Sequence, residues 1–355
     1  MAINILALSA GGTSTKIGYF RDDQMVFKKT IEHSKEELGN CKSPNDQLDM
    51  RFKSVRQLLE KENVDLGEIS AAVGRGGFLP PIDAGAYEVN NEMIDYILSH
   101  ASLGHVSSLS AVLADRIAKM GCPNAKAFIY DGETLDQLIP IARFSGLKGC
   151  DRISIGHLLN SRAVARIVSE KIGANYEKLN FIVAHMGGGT SVTAHEQGFI
   201  VDLVADDEGP FSVERTGSLP MKHVIKLCYD YPKADVMKML RVDGGLKSYL
   251  GTNDGRVIEE RIRAGDREAE LVFEALAYQV AKAVGDMSVA VNGEINAIVL
   301  TGGLANSGRI VGWITKRVNF IAPVHAVPGE FELEALAKGV WRVLSGLEDA
   351  HAFTL

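Results

Sequence analysis

Cysteine, tryptophan and proline are scarce in this chain of 355 residues, with 4, 2 and 10 copies. The cysteines lie far apart and form neither a CxxC pair nor a cluster with histidine, which argues against disulfides and against a zinc site. No apolar run approaches the roughly 20 residues that span a bilayer, and the first residues lack the basic start of a signal peptide. A cytoplasmic protein with no membrane partner is therefore expected.

Basic residues are in the minority, since 38 Lys and Arg stand against 45 Asp and Glu and give a formal net charge of −7. No long basic run is present, so nucleic acid and anionic membranes are not expected as partners. The hydrophobic fraction of 46% is ordinary for a globular protein. The length is about twice that of a usual domain, and two domains are expected.

One short word occurs twice in the chain. GGTS at 11–14 returns at 188–191, and the offset of 177 residues (188 − 11) is half of the chain length. Each copy follows an apolar strand and leads into another strand. The strands predicted around the two copies are 3–8, 16–20, 181–185 and 192–194, with a further strand at 199–201. The sequence therefore indicates an internal duplication.

The flanking strands decide which kind of glycine loop this is. A P-loop or a dinucleotide-binding loop leads into a helix, whereas both copies of GGTS join strand to strand and are predicted as hairpin loops. Glycine lets backbone N–H groups approach an anion, and the Thr and Ser hydroxyls add donors. Two ordinary tight hairpins are the competing interpretation. The matched pair favours the phosphate-binding loops of a duplicated actin-like ATPase fold, an α/β fold of two domains around a nucleotide cleft.

The remaining hydrophobic pattern is consistent with two α/β halves. It predicts four helices and one further strand: helices at 48–62, 269–291, 310–318 and 332–347, and a strand at 297–301. The domains are placed at 1–150 and 151–355, with the chain crossing between them near 146–152. The last helix, 332–347, is open to packing against the first domain.

Several residues suit phosphoryl transfer, which needs positioning and positive charge more than it needs a nucleophile. A carboxylate acceptor is ionised at neutral pH and requires no general base. Arg75 in GRGG and Arg215 in ERTG could bind oxyanions through both guanidinium arms, although a surface loop is the competing interpretation. Asp131 follows a predicted strand, where either a ligand-binding group or a turn aspartate is expected. Three histidines among small or apolar residues are open to a core or a catalytic role: His105, His157 and His185.

Longer words resemble the acetate/butyrate kinase (acetokinase) family, and the butyrate kinase branch most closely. They run in the family's order: SAGGTSTK at 9–16, GRGG at 74–77, AHMGGG at 184–189, EGPFSVERTGSLP at 208–220, GLKSYLGTND at 245–254, LTGGLA at 300–305 and NFIAPV at 319–324. The resemblance implies the acetate and sugar kinase superfamily fold and reversible, ATP-dependent phosphorylation of a short-chain carboxylic acid. Butyrate, or a branched or longer analogue, is the implied acceptor. ATP and Mg²⁺ are the implied cofactors, and a homodimer or larger homo-oligomer is the implied assembly.

The resemblance also implies roles for individual residues. The implied catalytic residues are Arg75, Asp131, His157 and Arg215. The implied nucleotide contacts are Gly11, Gly12, Thr13, Ser14, Lys16, His185, Gly187, Gly188, Gly189, Asp254, Arg256, Gly302, Gly303, Leu304 and Ala305. The implied acceptor-side residues are His105 and Gly156, and the implied metal contacts are Ser9 and Glu332.

The chain departs from the family's pattern mainly near the implied acceptor site. Ser9 stands where the family has Asn, and Gly156 stands where it has an aromatic residue before the histidine. Residues 131–137 read DGETLDQ in place of DPVVVDE, and residues 105–110 read HVSSLS where the family has HASNLG. The nucleotide-side words stay closer to the pattern. A nucleotide-binding protein that has lost transfer activity, and acts as a regulator or scaffold, is therefore kept as a second hypothesis.

Overall fold

A computed structural model describes residues 2–100 and 106–355, so the implied acceptor-side residue His105 lies outside the described residues. The chain divides into two compact units, Met1–Asp136 with Phe331–Leu355, and Gln137–Glu330. Within the described ranges, no helix has both the length and the apolar character needed to cross a membrane.

Strands and helices alternate along much of the described chain. The strands are β1 (Asn4–Ala10), β2 (Ser14–Arg21), β3 (Gln24–Glu32), β4 (Ala71–Gly74), β5 (Ala86–Glu88), β6 (Lys126–Tyr130), β7 (Phe181–Met186), β8 (Thr190–Glu196), β9 (Phe199–Val204), β10 (Ala297–Gly302), β11 (Val324–Pro328) and β12 (Ala350–Ala352). The helices are α1 (Lys35–Gly39), α2 (Leu48–Lys61), α3 (Asn91–Ser99), α4 (Leu109–Ala118), α5 (Leu158–Ile172), α6 (Met221–Asp230), α7 (Lys233–Arg241), α8 (Gly245–Leu250), α9 (Gly255–Arg263), α10 (Arg267–Ser288), α11 (Gly308–Val318) and α12 (Glu332–Leu344). Short 3₁₀ turns occupy Pro44–Gln47, Leu66–Glu68, Val106–Ser108, Pro140–Arg143, Tyr176–Lys178, Val289–Val291 and Gly303–Asn306.

The first unit contains a seven-stranded sheet in the order β12-β5-β6-β4-β1-β2-β3. β1, β4 and β6 run parallel, while β2 returns antiparallel to β1. Leu6 and Leu8 of β1 join residues of α2 and α4 in one apolar core, and Ile5 and Ala7 are equally buried. Successive strand residues face opposite sides of a sheet, so β1 is covered on both faces. The helix α12 packs against β1, β2, β4 and β6. This burial explains why β1 reads as a continuous apolar run.

The second unit contains a five-stranded sheet in the order β11-β10-β7-β8-β9. β7, β10 and β11 run parallel, and β8 returns antiparallel to β7. Ile182 and Ala184 of β7 share a core with α10 and α11, and α5 packs against β7 and β10. Each unit therefore has a buried central strand with parallel partners on one side and a hairpin on the other. The predicted duplication of a strand–hairpin–strand unit is confirmed.

The predicted helices are present, with differences at their ends. The predictions for 48–62 and 310–318 are confirmed by α2 and α11, and the prediction for 269–291 by α10 and the 3₁₀ turn that follows it. The C-terminal end of the last predicted helix was wrong, because α12 ends at Leu344. Gly346 adopts a φ of 73°, which is the left-handed conformation that ends a helix.

Residues 137–150, which the sequence analysis assigned to the first domain, lie in the second compact unit. They are held there by β9. The Ile139 N–H donates to the Val201 carbonyl at 3.0 Å, and the Gln137 side chain accepts from the Ile200 N–H at 3.1 Å. Composition does not reveal hydrogen bonds to the edge of a strand. Residues 137–150 also lack the linker-like composition that would mark a domain boundary.

His195 on β8 is fully buried, and burial, followed by the charge of Arg162, lowers its pKa to about 3. The Thr193 hydroxyl donates to the Val183 carbonyl at 3.4 Å and lies 2.8 Å from Nε2 of His195. Nε2 therefore carries the proton, and Nδ1 accepts from the Tyr176 hydroxyl at 2.7 Å. The folded protein thus holds a neutral histidine in an apolar interior.

A buried neutral histidine makes folding sensitive to acid. Unfolded His195 takes up a proton below pH about 6.5, whereas the folded side chain stays neutral down to about pH 3, so stability is lost as the pH falls through this window. Relative to His195→Gln, the wild-type free energy of unfolding should fall by about 1.4 kcal/mol per pH unit between pH 6 and 4. Urea titrations across this range measure the slope. His223→Gln, on the exposed face of α6, is the control and should keep the wild-type slope; parallel curves for wild type and His195→Gln would contradict the assignment.

Candidate functional site

The two copies of GGTS lie in hairpins, as predicted, but at different positions within them. Ala10 pairs with Thr15, so residues 11–14 connect β1 to β2, and a 2.8 Å bond from the Gly11 N–H to the Ser14 carbonyl closes this loop; Ser14 also begins β2 through its pairing with Glu32 of β3. Met186 pairs with Thr190, which leaves 187–189 as the second loop. The GGTS motif therefore spans the whole loop of the first hairpin, whereas in the second hairpin only its two glycines lie in the loop.

The side chains of the second copy do not add donors to the loop, and that expectation was wrong. Thr190 and Ser191 lie on β8 and are fully buried. The Ser191 hydroxyl lies 2.9 Å from Nδ1 of His157 and 3.3 Å from the His157 N–H. In the second hairpin the serine thus supports a histidine.

His157 stands at the start of α5 and takes part in a polar cluster of the second unit. Its ring stacks on that of His185 with centroids 3.8 Å apart and an interplanar angle of 6°. Nδ1 of His185 lies 3.0 Å from the Asn160 amide nitrogen, which in turn donates to the Thr301 hydroxyl at 3.3 Å. The cluster joins the end of β7, the end of β10 and the start of α5. It fixes the plane of the His157 ring by contacts on one face and at one edge.

Arg215 lies against the second hairpin. Its guanidinium pairs with Asp206, which follows β9. The Ser212 hydroxyl donates to the Gly188 carbonyl at 2.6 Å and accepts from the Arg215 N–H at 3.0 Å. A Cβ on Gly189 would lie 2.5 Å from Nη1 of Arg215, so a larger residue there would displace the guanidinium from this position. The predicted arginine and the predicted phosphate loop are thus in contact.

An open pocket of about 980 Å³ lies beside the second hairpin, within the second unit. Six of the fifteen implied nucleotide contacts line it: Gly187, Gly188, Asp254, Arg256, Gly303 and Leu304. The lining residues are Gly187, Gly188, Val213, Asn253, Asp254, Gly255, Arg256, Glu259, Glu260, Arg263, Gly303, Leu304, Asn306, Ser307 and Glu330. The volume is at the upper end of the range for small-molecule and cofactor sites. Gly302 and Ala305 flank the lining residues along the chain.

Asp254 is the N-cap of α9 and is held in the ionised form. Its carboxylate accepts from the Arg256 backbone at 2.9 Å and from the Arg256 guanidinium at 3.0 and 2.7 Å. These bonds, the guanidinium first, lower the pKa of Asp254 to about 2. The pocket therefore presents a permanent anion that can accept hydrogen bonds from a ligand's hydroxyl or amino groups.

Arg75 directly follows β4 and forms ion pairs with two carboxylates of the first unit. Its guanidinium lies 2.8 Å from Glu133 and 3.1 Å from Glu332. The Ser9 hydroxyl donates to the other oxygen of Glu332 at 3.4 Å, and the Ser107 hydroxyl donates to Glu133 at 2.8 Å. Arg75 is therefore a partly exposed loop residue whose guanidinium belongs to an ionic network of the first unit. The structure brings Ser9, Arg75 and Glu332 together.

Asp131 and Gly156 each lie beside a residue that is distant in the sequence. Asp131 is 4% exposed with a φ of 42°, and its carboxylate accepts at 2.9 Å from the N–H of Gly85, a residue 46 positions earlier in the chain. A Cβ on Gly156 would lie 3.5 Å from both Leu158 and Ser191, which is an ordinary contact distance. The roles implied for Asp131 and Gly156 stay predictions.

The sequence analysis missed the carboxylates that pair with its two arginines. Glu133 lies in DGETLDQ, where the resemblance breaks down, and Asp206 lies just before EGPFSVERTGSLP. No spacing rule connects either carboxylate to its arginine. Across residues 2–100 and 106–355 there is no group of three or more His, Cys, Asp or Glu side chains suited to holding a metal ion. Ser9 and Glu332 still offer the hard oxygen donors that Mg²⁺ prefers, and Mg²⁺ commonly uses one or two carboxylates together with substrate phosphates.

Comparisons with known proteins give a matching family model and similar folds. A model of the acetokinase family matches residues 157–322. The structure is similar to acetate kinase from Porphyromonas gingivalis, with 18% identity, a TM-score of 0.79 and coverage of 95% of this chain and 99% of that one. It is also similar to a propionate kinase from Francisella tularensis subsp. tularensis (17%, 0.74, 95% and 98%) and to acetate kinase from Entamoeba histolytica (16%, 0.74, 95% and 98%). At these identities the likeness shows the fold, and the predicted two-domain actin-like α/β fold is confirmed.

The turn that leads from β10 into the pocket depends on one glycine. Gly302 has a φ of 84°, and a Cβ there would lie 2.4 Å from the Met186 carbonyl. Gly302→Ala should therefore lower the free energy of unfolding by about 2–4 kcal/mol, as expected for strain at a special backbone position. Gly303→Ala is the matched control, because a Cβ at Gly303 meets nothing within 4 Å. Urea denaturation of the two variants measures the difference, and equal stabilities would refute the steric argument.

Proposed function

We propose that this protein is a kinase of the acetokinase family that transfers a phosphoryl group from ATP to the carboxylate of a short-chain fatty acid, producing an acyl phosphate. The match of residues 157–322 to the acetokinase model carries the proposal. That stretch includes His157, the second hairpin, Arg215 and most of the residues that line the pocket. The contacts among these groups support one shared task.

The pocket suits the nucleoside of ATP. Its volume of about 980 Å³ accommodates a nucleotide, and the ionised Asp254 carboxylate can accept from ribose hydroxyls or from the adenine amino group. Gly187 and Gly188 bring bare backbone to the wall of the pocket. Backbone N–H groups without side chains suit the phosphate end of the nucleotide. The pocket thus combines a polar anchor for the sugar or base with a glycine loop for the phosphates.

Arg215 and His157 suit the moving phosphoryl group. Phosphoryl transfer places charge on the equatorial oxygens, and the protein's main task is to hold positive charge and donors in a fixed orientation. Asp206 and the loop bonds of Ser212 orient Arg215, while Ser191 and the stacked ring of His185 orient His157. These groups bind and orient, and none needs to remove a proton from the acceptor.

Arg75 suits the acceptor carboxylate, and Ser9 with Glu332 suits Mg²⁺. A guanidinium can bind a carboxylate through two parallel hydrogen bonds. The carboxylate of Glu332 and the hydroxyl of Ser9 are oxygen donors of the kind Mg²⁺ takes. When bound, Mg²⁺ would neutralise charge on the nucleotide phosphates. Glu332 also orients Arg75, so one carboxylate can serve both the metal and the arginine.

Butyrate, or a longer or branched acid, is the proposed acceptor, because Gly156 removes an aromatic ring beside His157. The space is partly occupied, since Leu158 is buried and lies 3.5 Å from the position of a Cβ on Gly156. An aromatic ring at residue 156 would take up space that glycine leaves open. The preference for chain length is therefore expected to depend on residue 156.

The first test concerns Arg215. Arg215→Ala should reduce kcat by ~10²–10³ with little change in KM for ATP, as for the loss of one oriented donor to the transition state. Acyl phosphate trapped as hydroxamate, with Mg-ATP and acids of two to six carbons, measures the rate. Arg309→Ala is the control, because Arg309 makes a partly exposed ion pair with Glu270 at 3.7 Å. A near-normal kcat in Arg215→Ala would contradict a role for this arginine in the transfer step. If the wild-type protein formed no acyl phosphate from any of the acids, the kinase proposal itself would be contradicted.

The second test concerns the acceptor. Wild-type kcat/KM should peak at four or more carbons and exceed that for acetate several-fold to tens-fold, at ~0.8 kcal/mol for each buried methylene. Gly156→Phe should shift the peak towards acetate. Gly156→Ala is the matched control and should keep the wild-type preference, because its Cβ makes only ordinary contacts with Leu158 and Ser191. A wild-type preference that peaks at acetate would exclude an enlarged acceptor space.

A further inference from the structure

Arg51 on α2 is a fully buried guanidinium that lies beneath the first hairpin loop. Its Nη2 donates to the Gly11 carbonyl at 2.9 Å and to the Gly12 carbonyl at 3.3 Å. Its Nη1 donates to the Ser14 carbonyl at 2.9 Å and to the Thr15 hydroxyl at 2.8 Å. No carboxylate is among these acceptors. Removing a cation from water costs free energy, and in this site hydrogen bonds to neutral oxygens compensate that cost.

Two further contacts complete the support of the loop. Gln47 accepts from Nε and Nη2 of Arg51 at 3.0 and 2.8 Å and so orients the guanidinium. The Thr13 carbonyl accepts from the His33 N–H at 2.8 Å. With these bonds, the carbonyls of all four loop residues, 11–14, accept hydrogen bonds from the protein.

The direction of these carbonyls decides the direction of the loop's N–H groups. In a trans peptide the N–H of one residue points opposite to the carbonyl of the residue before it. Because Arg51 binds the carbonyls of Gly11 and Gly12, the N–H groups of Gly12 and Thr13 point away from the guanidinium. Both residues are exposed, and in the described part of the chain neither N–H has a protein acceptor. Two adjacent, outward N–H groups above a buried positive charge form an anion-binding surface.

The second hairpin is supported in another way. There the Gly188 carbonyl accepts from the neutral hydroxyl of Ser212. The buried cation is therefore a feature of the first hairpin and not a consequence of the repeated word.

We propose that Arg51 is a positioning residue for phosphate binding: by holding the Gly11 and Gly12 carbonyls, it turns the N–H groups of Gly12 and Thr13 towards a phosphate of Mg-ATP and adds positive charge behind them. The inference rests on the proposed function, because it takes the nucleotide phosphates as the ligand of this loop. Arg51 does not touch the ligand and acts through the backbone. The arginine fork is essential, since Lys has three donors from one point and cannot hold three separate carbonyls in the same directions.

The test compares two buried arginines by the same mild substitution. Arg51→Lys should weaken Mg-ATP binding by about 10- to 100-fold, the range for one or two hydrogen bonds to a charged group. The KM for the acid should stay within about threefold, because the acid has no contact with this loop in the proposal. Arg162→Lys is the matched control. Arg162 is also buried and donates to the Gly198 carbonyl at 2.7 Å, so its substitution should lower the melting temperature without changing the Mg-ATP affinity. Calorimetric titration with Mg-ATP and thermal denaturation provide the two readouts.

A second variant covers the case in which Arg51→Lys does not fold. Gln47→Met removes the acceptor that orients the guanidinium while keeping its size, and it should weaken Mg-ATP binding about three- to tenfold, as for one weaker hydrogen bond. Unchanged Mg-ATP affinity in a folded Arg51→Lys or Gln47→Met protein would overturn the inference and leave Arg51 a stabilising residue only. Wild-type protein that binds Mg-ATP but forms no acyl phosphate would defeat the proposed function alone, and the affinities of the variants would still decide the role of Arg51. Wild-type protein that binds no Mg-ATP would defeat both.

Discussion

Parallel pairing of the central strands is the constraint on which the arrangement of this protein depends. A strand with parallel neighbours and covered faces must be apolar along its length, so polar groups can stand only where it ends. Ser9 lies at the end of β1, Arg75 directly follows β4, and Asp131 directly follows β6. In the second unit, the hairpin loop follows β7, and the turn that leads into the pocket begins at Gly302, the last residue of β10. Most of the candidate groups therefore lie at the carboxyl ends of parallel strands.

The two hairpins show how one repeated word can serve two structures. In the first, a buried arginine donates to the carbonyls of Gly11, Gly12 and Ser14, and the His33 N–H donates to that of Thr13. In the second, the loop is shorter, and Ser191 has moved onto β8, where it holds His157. A glycine loop supplies only the freedom to turn its N–H groups. The groups behind the loop decide which way they turn.

Both candidate arginines are already paired with carboxylates. Arg75 is held by Glu133 and Glu332, and Arg215 by Asp206. Such pairs restrict a flexible side chain in advance, so less conformational entropy is lost when a ligand binds. They also make an incoming anion compete with a carboxylate of the protein. For the acceptor proposed to bind Arg75, orientation is balanced against competition, and Glu133, in a stretch where the resemblance to the family is weakest, contributes to both.

The sequence alone was sufficient for the local features: the apolar strands, the hairpin loops that are not P-loops, most helices, and the arginines beside glycines. These follow from periodicity and from the backbone freedom of glycine, which act over a few residues. Only the tertiary structure decided what each charged group faces. Arg75 meets Glu332 from 257 positions away, and Arg51 meets the Gly11 carbonyl from 40 positions away. The hydrophobic pattern of a helix or strand predicts which face is buried. It does not predict which carbonyl or carboxylate will contact a given charged side chain, because that depends on how the elements pack.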